Sequence, residues 1–242
     1  MRRKVKLWIA GFFVLFPYNV WATNLLKPPA ELTVTLQMLF FITLLALIPS
    51  ILVMMTSFTR FIISLHFLKS AMGTQQMPPN QIVLGLALFL TFFVMSPVFS
   101  QINDEAIIPY RNNQITQQEM LDRSVEPLKE FMIAQARDAD IKLFMDLSGR
   151  GLIEDETDIL SQIPLYVLVP AFIIGELRAG FIIGFLIYLP FIVIDMVIAS
   201  ALMAMGMMML PPATISLPFK ILLFILADGW NLLIGELVLT FN

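Results

Sequence analysis

Leu189 to Trp230 reads LPFIVIDMVIASALMAMGMMMLPPATISLPFKILLFILADGW, and this stretch decides how the chain is read. Two apolar segments each carry a carboxylate, Asp195 and Asp228, and Lys220 sits near the head of the second. Between them lies Gly206-Met207-Met208-Met209-Leu210-Pro211-Pro212. Neighbouring side chains on a helix diverge by about 100°, so three consecutive methionines cannot share one face. The glycine before them and the proline pair after them predict that a helix ends here. The methionines are therefore expected on a bend between two helices. Thioether side chains are unbranched and apolar, and they repack around irregular shapes. A deformable apolar constriction uses that property; ordinary core packing is the alternative.

Composition places the chain among membrane proteins. It is 58% hydrophobic and 14% charged, with mean hydropathy +0.84. It has no cysteine, which excludes disulfides, zinc–thiolate sites and thiol nucleophiles. One histidine, His66, does not furnish a histidine metal site or a catalytic triad. A net charge of −3 gives no footprint for nucleic acid. No cofactor is expected, and no phosphate-binding G-x-x-x-x-G-K-[ST] loop is present.

Upstream, residues 1–22 read as a signal peptide. A basic start, Met1 to Lys6, precedes the apolar run Leu7 to Phe16, and Val20-Trp21-Ala22 offers a cleavage site. An uncleaved first transmembrane helix is the alternative. Residues 23–103 read as membrane-type helices. Leu32 to Met55 carries no charge and is long enough to cross a hydrocarbon core of about 30 Å, with a kink at Pro49. Thr56 to Gln81 holds Arg60, His66 and Lys69 and no acid, so it is expected as a positive cytoplasmic loop, with Phe58 to Met72 able to continue as helix. Here His66 reads as a packed or interfacial residue. Ile82 to Asn103 is a second uncharged run, kinked at Pro97.

Residues 104–162 are the soluble-looking part, with 13 acids against 6 bases. Glu119 to Leu147 reads as one or two amphipathic helices. Thr116 and Glu119 form a capping box, and Pro127 interrupts or restarts the helix. Leu128, Met132, Ile141, Phe144 and Met145 recur at helical spacing. Acidity and position predict a small helical domain on the periplasmic side.

Residues 163–242 contain the C-terminal helices. Ile163 to Leu210 is too long for one crossing and predicts two helices or a re-entrant hairpin before the methionine bend. Gly180 and Gly184, and Ser200 and Ala204, are small-x-x-x-small pairs that permit close helix contact. Phe219 to Phe241 reads as one last helix.

Charges inside apolar helices need partners. Glu176 and Arg178 lie on nearly opposite faces of one helix. Lys220 and Asp228 are about 12 Å apart along another. Each of Glu176, Arg178, Asp195, Lys220 and Asp228 is thus expected to pair across helices or subunits. Lys220 is expected to meet Glu176 or Asp195 across a subunit boundary.

The run GMMMLPPATISLPFK followed by DGW resembles the FliP family of flagellar type III export-gate subunits. Further blocks match at Thr56 to Arg60 (TSFTR), Pro78 to Gln81 (PPNQ), Gly85 to Pro97 (GLALFLTFFVMSP) and Val169 to Leu177. The resemblance implies an all-α membrane protein whose kinked helical hairpins build an oligomeric helical export-gate assembly. It implies a pentamer in the bacterial inner membrane, within the flagellar basal body. FliQ, FliR, other export-apparatus membrane proteins and unfolded export substrates are its implied partners. It also implies that Met207, Met208 and Met209 form a gasket, and that the stack sits largely above the bilayer plane.

Two other functions compete. An ion- or proton-coupled transporter would use Glu176, Asp195, Asp228 and Glu236 as a relay. An intramembrane aspartyl protease would use Asp195 and Asp228, but the chain has I-D-M and A-D-G-W where that chemistry pairs an aspartate with G-x-G-D. The chain is therefore not expected to be an enzyme.

Overall fold

The computed structural model describes residues 30–74, 77–149, 163–207 and 209–241. Among the described residues it is helical throughout, with no strand. The expected signal peptide lies outside them, as does Met208. Two compact units are distinguished, Met1–Ile48 and Pro49–Asn242. Helix α1, Ala30–Met55, provides the described part of the first unit and runs on through Pro49.

The second unit is organised by α2 (Phe58–Met72) and α8 (Leu165–Ala204). α2 is released at Gly73, whose φ of 73° is a left-handed conformation that glycine adopts without a Cβ penalty. α3 (Asn80–Val94) and α4 (Ser96–Ile102) follow, the second apolar run bending by 56° beside Pro97. A π-turn over Asn103–Ile107 leads into the short α5 (Ile108–Arg111).

The acidic region forms two helices, α6 (Gln117–Gln135) and α7 (Asp138–Leu147). The capping box is present: Glu119 donates its N–H to Thr116 Oγ1, and the Glu119 carboxylate accepts from the Thr116 N–H at 2.7 Å. Pro127 does not interrupt α6, contrary to expectation; it lies buried within the continuous helix. Met132, Ile141 and Met145 are buried against Val167, Leu168, Ala171 and Phe172 of α8. The amphipathic faces of α6 and α7 are thus covered by the first turns of α8.

The longest departure from expectation is α8 itself. A run too long for one bilayer crossing predicts a break, yet residues 165–204 form one helix, about 60 Å long. Pro170 and Pro190 lie within it. Its opening turns are covered by α6 and α7, so part of its apolar length is buried inside the protein itself. Further along, Gly180 and Gly184 face Ile63 and Phe67 of α2. A Cβ on Gly184 would fall 2.4 Å from the Phe67 ring, so the glycine is what admits the phenylalanine. Ser200 and Ala204, by contrast, are exposed.

After the methionine bend come α9 (Pro212–Leu226) and α10 (Gly229–Leu239), bent by 66°. The single last helix expected from Phe219 to Phe241 is therefore broken. Asp228 adopts a left-handed conformation, and a Cβ on Gly229 would meet the Phe224 ring at 2.4 Å. Asp-Gly is the turn signal that the apolar pattern obscured. Among the described helices, α8 is long and apolar enough to cross a membrane; up to four spans result if each bent pair is one.

Candidate functional site: the methionine bend and its ionic supports

The bend begins with a complete helix-terminating motif. Gly206 has φ 73°, its N–H donates to the Met203 carbonyl, and the Met207 N–H reaches the Leu202 carbonyl at 2.9 Å. These are the two hydrogen bonds of a Schellman cap. On the far side Pro211 precedes α9 and Pro212 occupies its first position, where its missing N–H costs nothing. The expected bend between two helices is therefore present. Met207 is half exposed, and Met209 is 98% exposed. Met132 and Met145, which do pack a core, are 0% and 5% exposed. Among the described residues nothing covers Met209.

The hairpin of α8 and α9 is clamped close to the bend. Lys220 Nζ donates to Asp195 Oδ2 at 2.6 Å and to the Ala71 carbonyl of α2 at 3.2 Å. Ser216 Oγ donates to the other oxygen of Asp195 at 2.5 Å. The Lys220–Asp195 pair lies within one chain, not across a subunit boundary as expected. Antiparallel packing of α8 and α9 brings together residues that neither helix could pair alone.

Glu176 has a different partner, Arg60. The Arg60 fork grips both carboxylate oxygens, with Nε at 3.0 Å from Oε2. Its remaining donors reach the Thr240 carbonyl at 2.9 Å, Thr240 Oγ1 at 3.1 Å and Gln135 Oε1 at 3.1 Å. All five guanidinium N–H groups are thereby satisfied. The Phe241 ring closes over the Arg60 carbon at 3.8 Å. Arg60 is only 5% exposed and Glu176 is 0% exposed.

This node corrects the reading of Arg60 as a loop charge. It sits inside α2, against Gln135 at the end of the acidic helix α6. The segment expected in the cytoplasm and the domain expected across the membrane from it are in contact. Sequence reasoning missed the pair because Glu176 and Arg60 are 116 residues apart. The available signal was a lone arginine flanked by Phe58 and Phe61 in an apolar helix.

The other charges stand apart. Arg178 is exposed, and its side chain has no ion pair or hydrogen bond among the described residues. Asp228 is exposed and accepts from Asn231 Nδ2 at 3.1 Å. Asp195 and Asp228 are not joined by any hydrogen bond, and Asp195 has both oxygens engaged by Ser216 and Lys220. His66 is exposed, beside Lys69 and Asn80 in a small polar recess. Among the described residues no cluster of three or more candidate ligands could hold a metal ion.

Fold and site together define an all-helical protein with membrane-type helices, closed by ionic nodes and carrying an exposed methionine bend. The chain belongs to the FliP family, whose model matches residues 41–237. It is 50% identical over 213 residues to the flagellar biosynthetic protein FliP of Bacillus subtilis, covering 88% of this chain and 95% of that protein. The flagellar biosynthetic protein FliP of Pectobacterium carotovorum is 50% identical over 86% of this chain and 80% of its own length. That of Aquifex aeolicus is 43% identical over 89% and 92% respectively.

Proposed function

We propose that this protein is a core subunit of the flagellar type III export gate in the bacterial inner membrane, within the flagellar basal body. Several copies bring their Gly206–Pro212 bends to a common axis, in a pentamer completed by FliQ and FliR. Met207, Met208 and Met209 then form a collar through which unfolded flagellar proteins pass. The observation that carries this reading is the exposure of Met209 at a capped, rigidly supported bend. A methionine left exposed by the described residues of its own chain is available to line an opening. An apolar ring dewets and resists ions, while flexible thioethers mould around a passing peptide. The Lys220–Asp195 clamp supports the reading by fixing the hairpin beside the bend.

The test is ion conductance of membranes holding the assembled complex. Wild type is compared with a variant in which Met207, Met208 and Met209 are all alanine, at equal assembly. The variant is expected to leak ions where wild type is tight. Equal tightness in complexes that still export would make these methionines packing residues.

A further inference from the structure

We propose that neighbouring copies of this chain are joined by an ion pair between Arg178 of one copy and Glu236 of the next. This rests on the oligomeric reading above and names the contact that builds the ring.

Four charges in the apolar helices are already neutralised inside the chain. Arg60 holds Glu176, and Lys220 holds Asp195. Arg178 in α8 and Glu236 in α10 are different. Both are exposed, and neither side chain has an ion pair or hydrogen bond among the described residues. A lone charge on an apolar surface is costly unless an opposite charge meets it. Among the described residues Arg178 and Glu236 are a cation and an anion of this kind, and a second copy supplies what each lacks.

The two charges sit at one level. Arg60 ties Glu176 to Thr240. Arg178 lies two residues beyond Glu176 and Glu236 four before Thr240, roughly 3 Å and 6 Å along their helices. They occupy different faces. At about 100° per residue Arg178 points almost opposite to Glu176. It shares a stripe with exposed Ile182, Phe185 and Leu189, a protruding apolar ridge. Glu236 instead borders an apolar groove of about 560 Å³ between α8 and α10, lined by Ile187, Leu232 and Leu237 among others. A ridge carrying one cation matches a groove carrying one anion, as side-chain ridges pack into grooves. Because ridge and groove are separate surfaces, the contact is head-to-tail, the kind that closes into a ring.

The test uses the full chain in membranes of cells that make it, extracted in mild detergent and resolved by native electrophoresis. Arg178→Glu and Glu236→Arg are each expected to lose the oligomer, and the double charge swap to restore it. Because a misfolded variant would also lose the oligomer, a second measurement uses the absence of native cysteine. Arg178→Cys together with Glu236→Cys is expected to give covalently linked multimers with a thiol-to-thiol bis-maleimide, which spans the separation of an Arg–Glu pair that a direct disulfide does not, whereas either cysteine alone gives none of the higher multimers. A wild-type chain that is monomeric throughout would overturn the oligomeric reading itself. An oligomer indifferent to both charge reversals, or a double swap that restores nothing and a cysteine pair that never cross-links, would overturn the pairing alone. Cross-linking of Glu236→Cys only to a different protein would do the same.

Discussion

Arg60 and Glu176, 116 residues apart in sequence, meet as a fully buried, two-pronged ion pair between α2 and α8. The same guanidinium holds Gln135 and Thr240, so one side chain fastens the acidic helices and the last helix to the central pair. Buried charge is tolerated here because every donor of the arginine finds an acceptor.

That node makes the first prediction. Arg60→Leu leaves Glu176 buried without its cation and is expected to cost about 3–5 kcal/mol. Arg60→Lys keeps the charge but loses the fork, and should also destabilise. Pairing Arg60→Leu with Glu176→Leu removes both charges and should recover much of the loss. Thermal unfolding in detergent checks this, and equal melting of the single and double variants would argue against the pair.

The glycine seam makes the second. Gly184→Leu drives a side chain into Phe67 and is expected to cost about 1–3 kcal/mol by overpacking. Adding Phe67→Ala should relieve it. Gly180→Ala meets Ile63 at 3.0 Å, a milder clash, and should cost less. Resistance to limited proteolysis ranks the three variants.

The third concerns the start of the bend. Gly206 is left-handed, a conformation that costs an L-residue about 1–2 kcal/mol. Among the described residues nothing beyond its chain neighbours and own helix backbone lies within 4 Å of where its Cβ would be, so Gly206→Ala tests backbone conformation without a clash. The expected result is faster amide exchange at Met207 and in the last turn of α8, with the Arg60 node unchanged.

A fourth prediction uses pH. The Thr116 backbone N–H, then its hydroxyl, hold the exposed Glu119 carboxyl below the usual carboxylate range. Its folded value is depressed, so its stabilising contribution is present above the unfolded value and is lost as pH falls through the folded one. The helicity of α6 should therefore decline on acidification into that range. Glu119→Gln should flatten this part of the pH profile, as followed by circular dichroism.

Much of this could be read along the chain, because the signals are local. The Thr116–Glu119 box, the bounds of α2, the glycine seam and the bend at Gly206–Pro212 each depend on residues within a few turns. Caps, small-residue spacing and proline placement act at that range. The family blocks reached further only because long runs such as GMMMLPPATISLPFK are shared as whole segments.

Tertiary structure decided the rest. Hydrophobicity could not show that Leu165–Ala204 is unbroken, since lipid and a covering helix favour the same apolar residues. Nor could it break the last helix at Asp228, where the fit of Phe224 over Gly229 is a matter of shape. Above all, it could not assign partners to the charges. Lys220 finds Asp195 and Arg60 finds Glu176 because packed helices bring distant residues within hydrogen-bond reach, and a charge carries no record in sequence of which opposite charge it will meet.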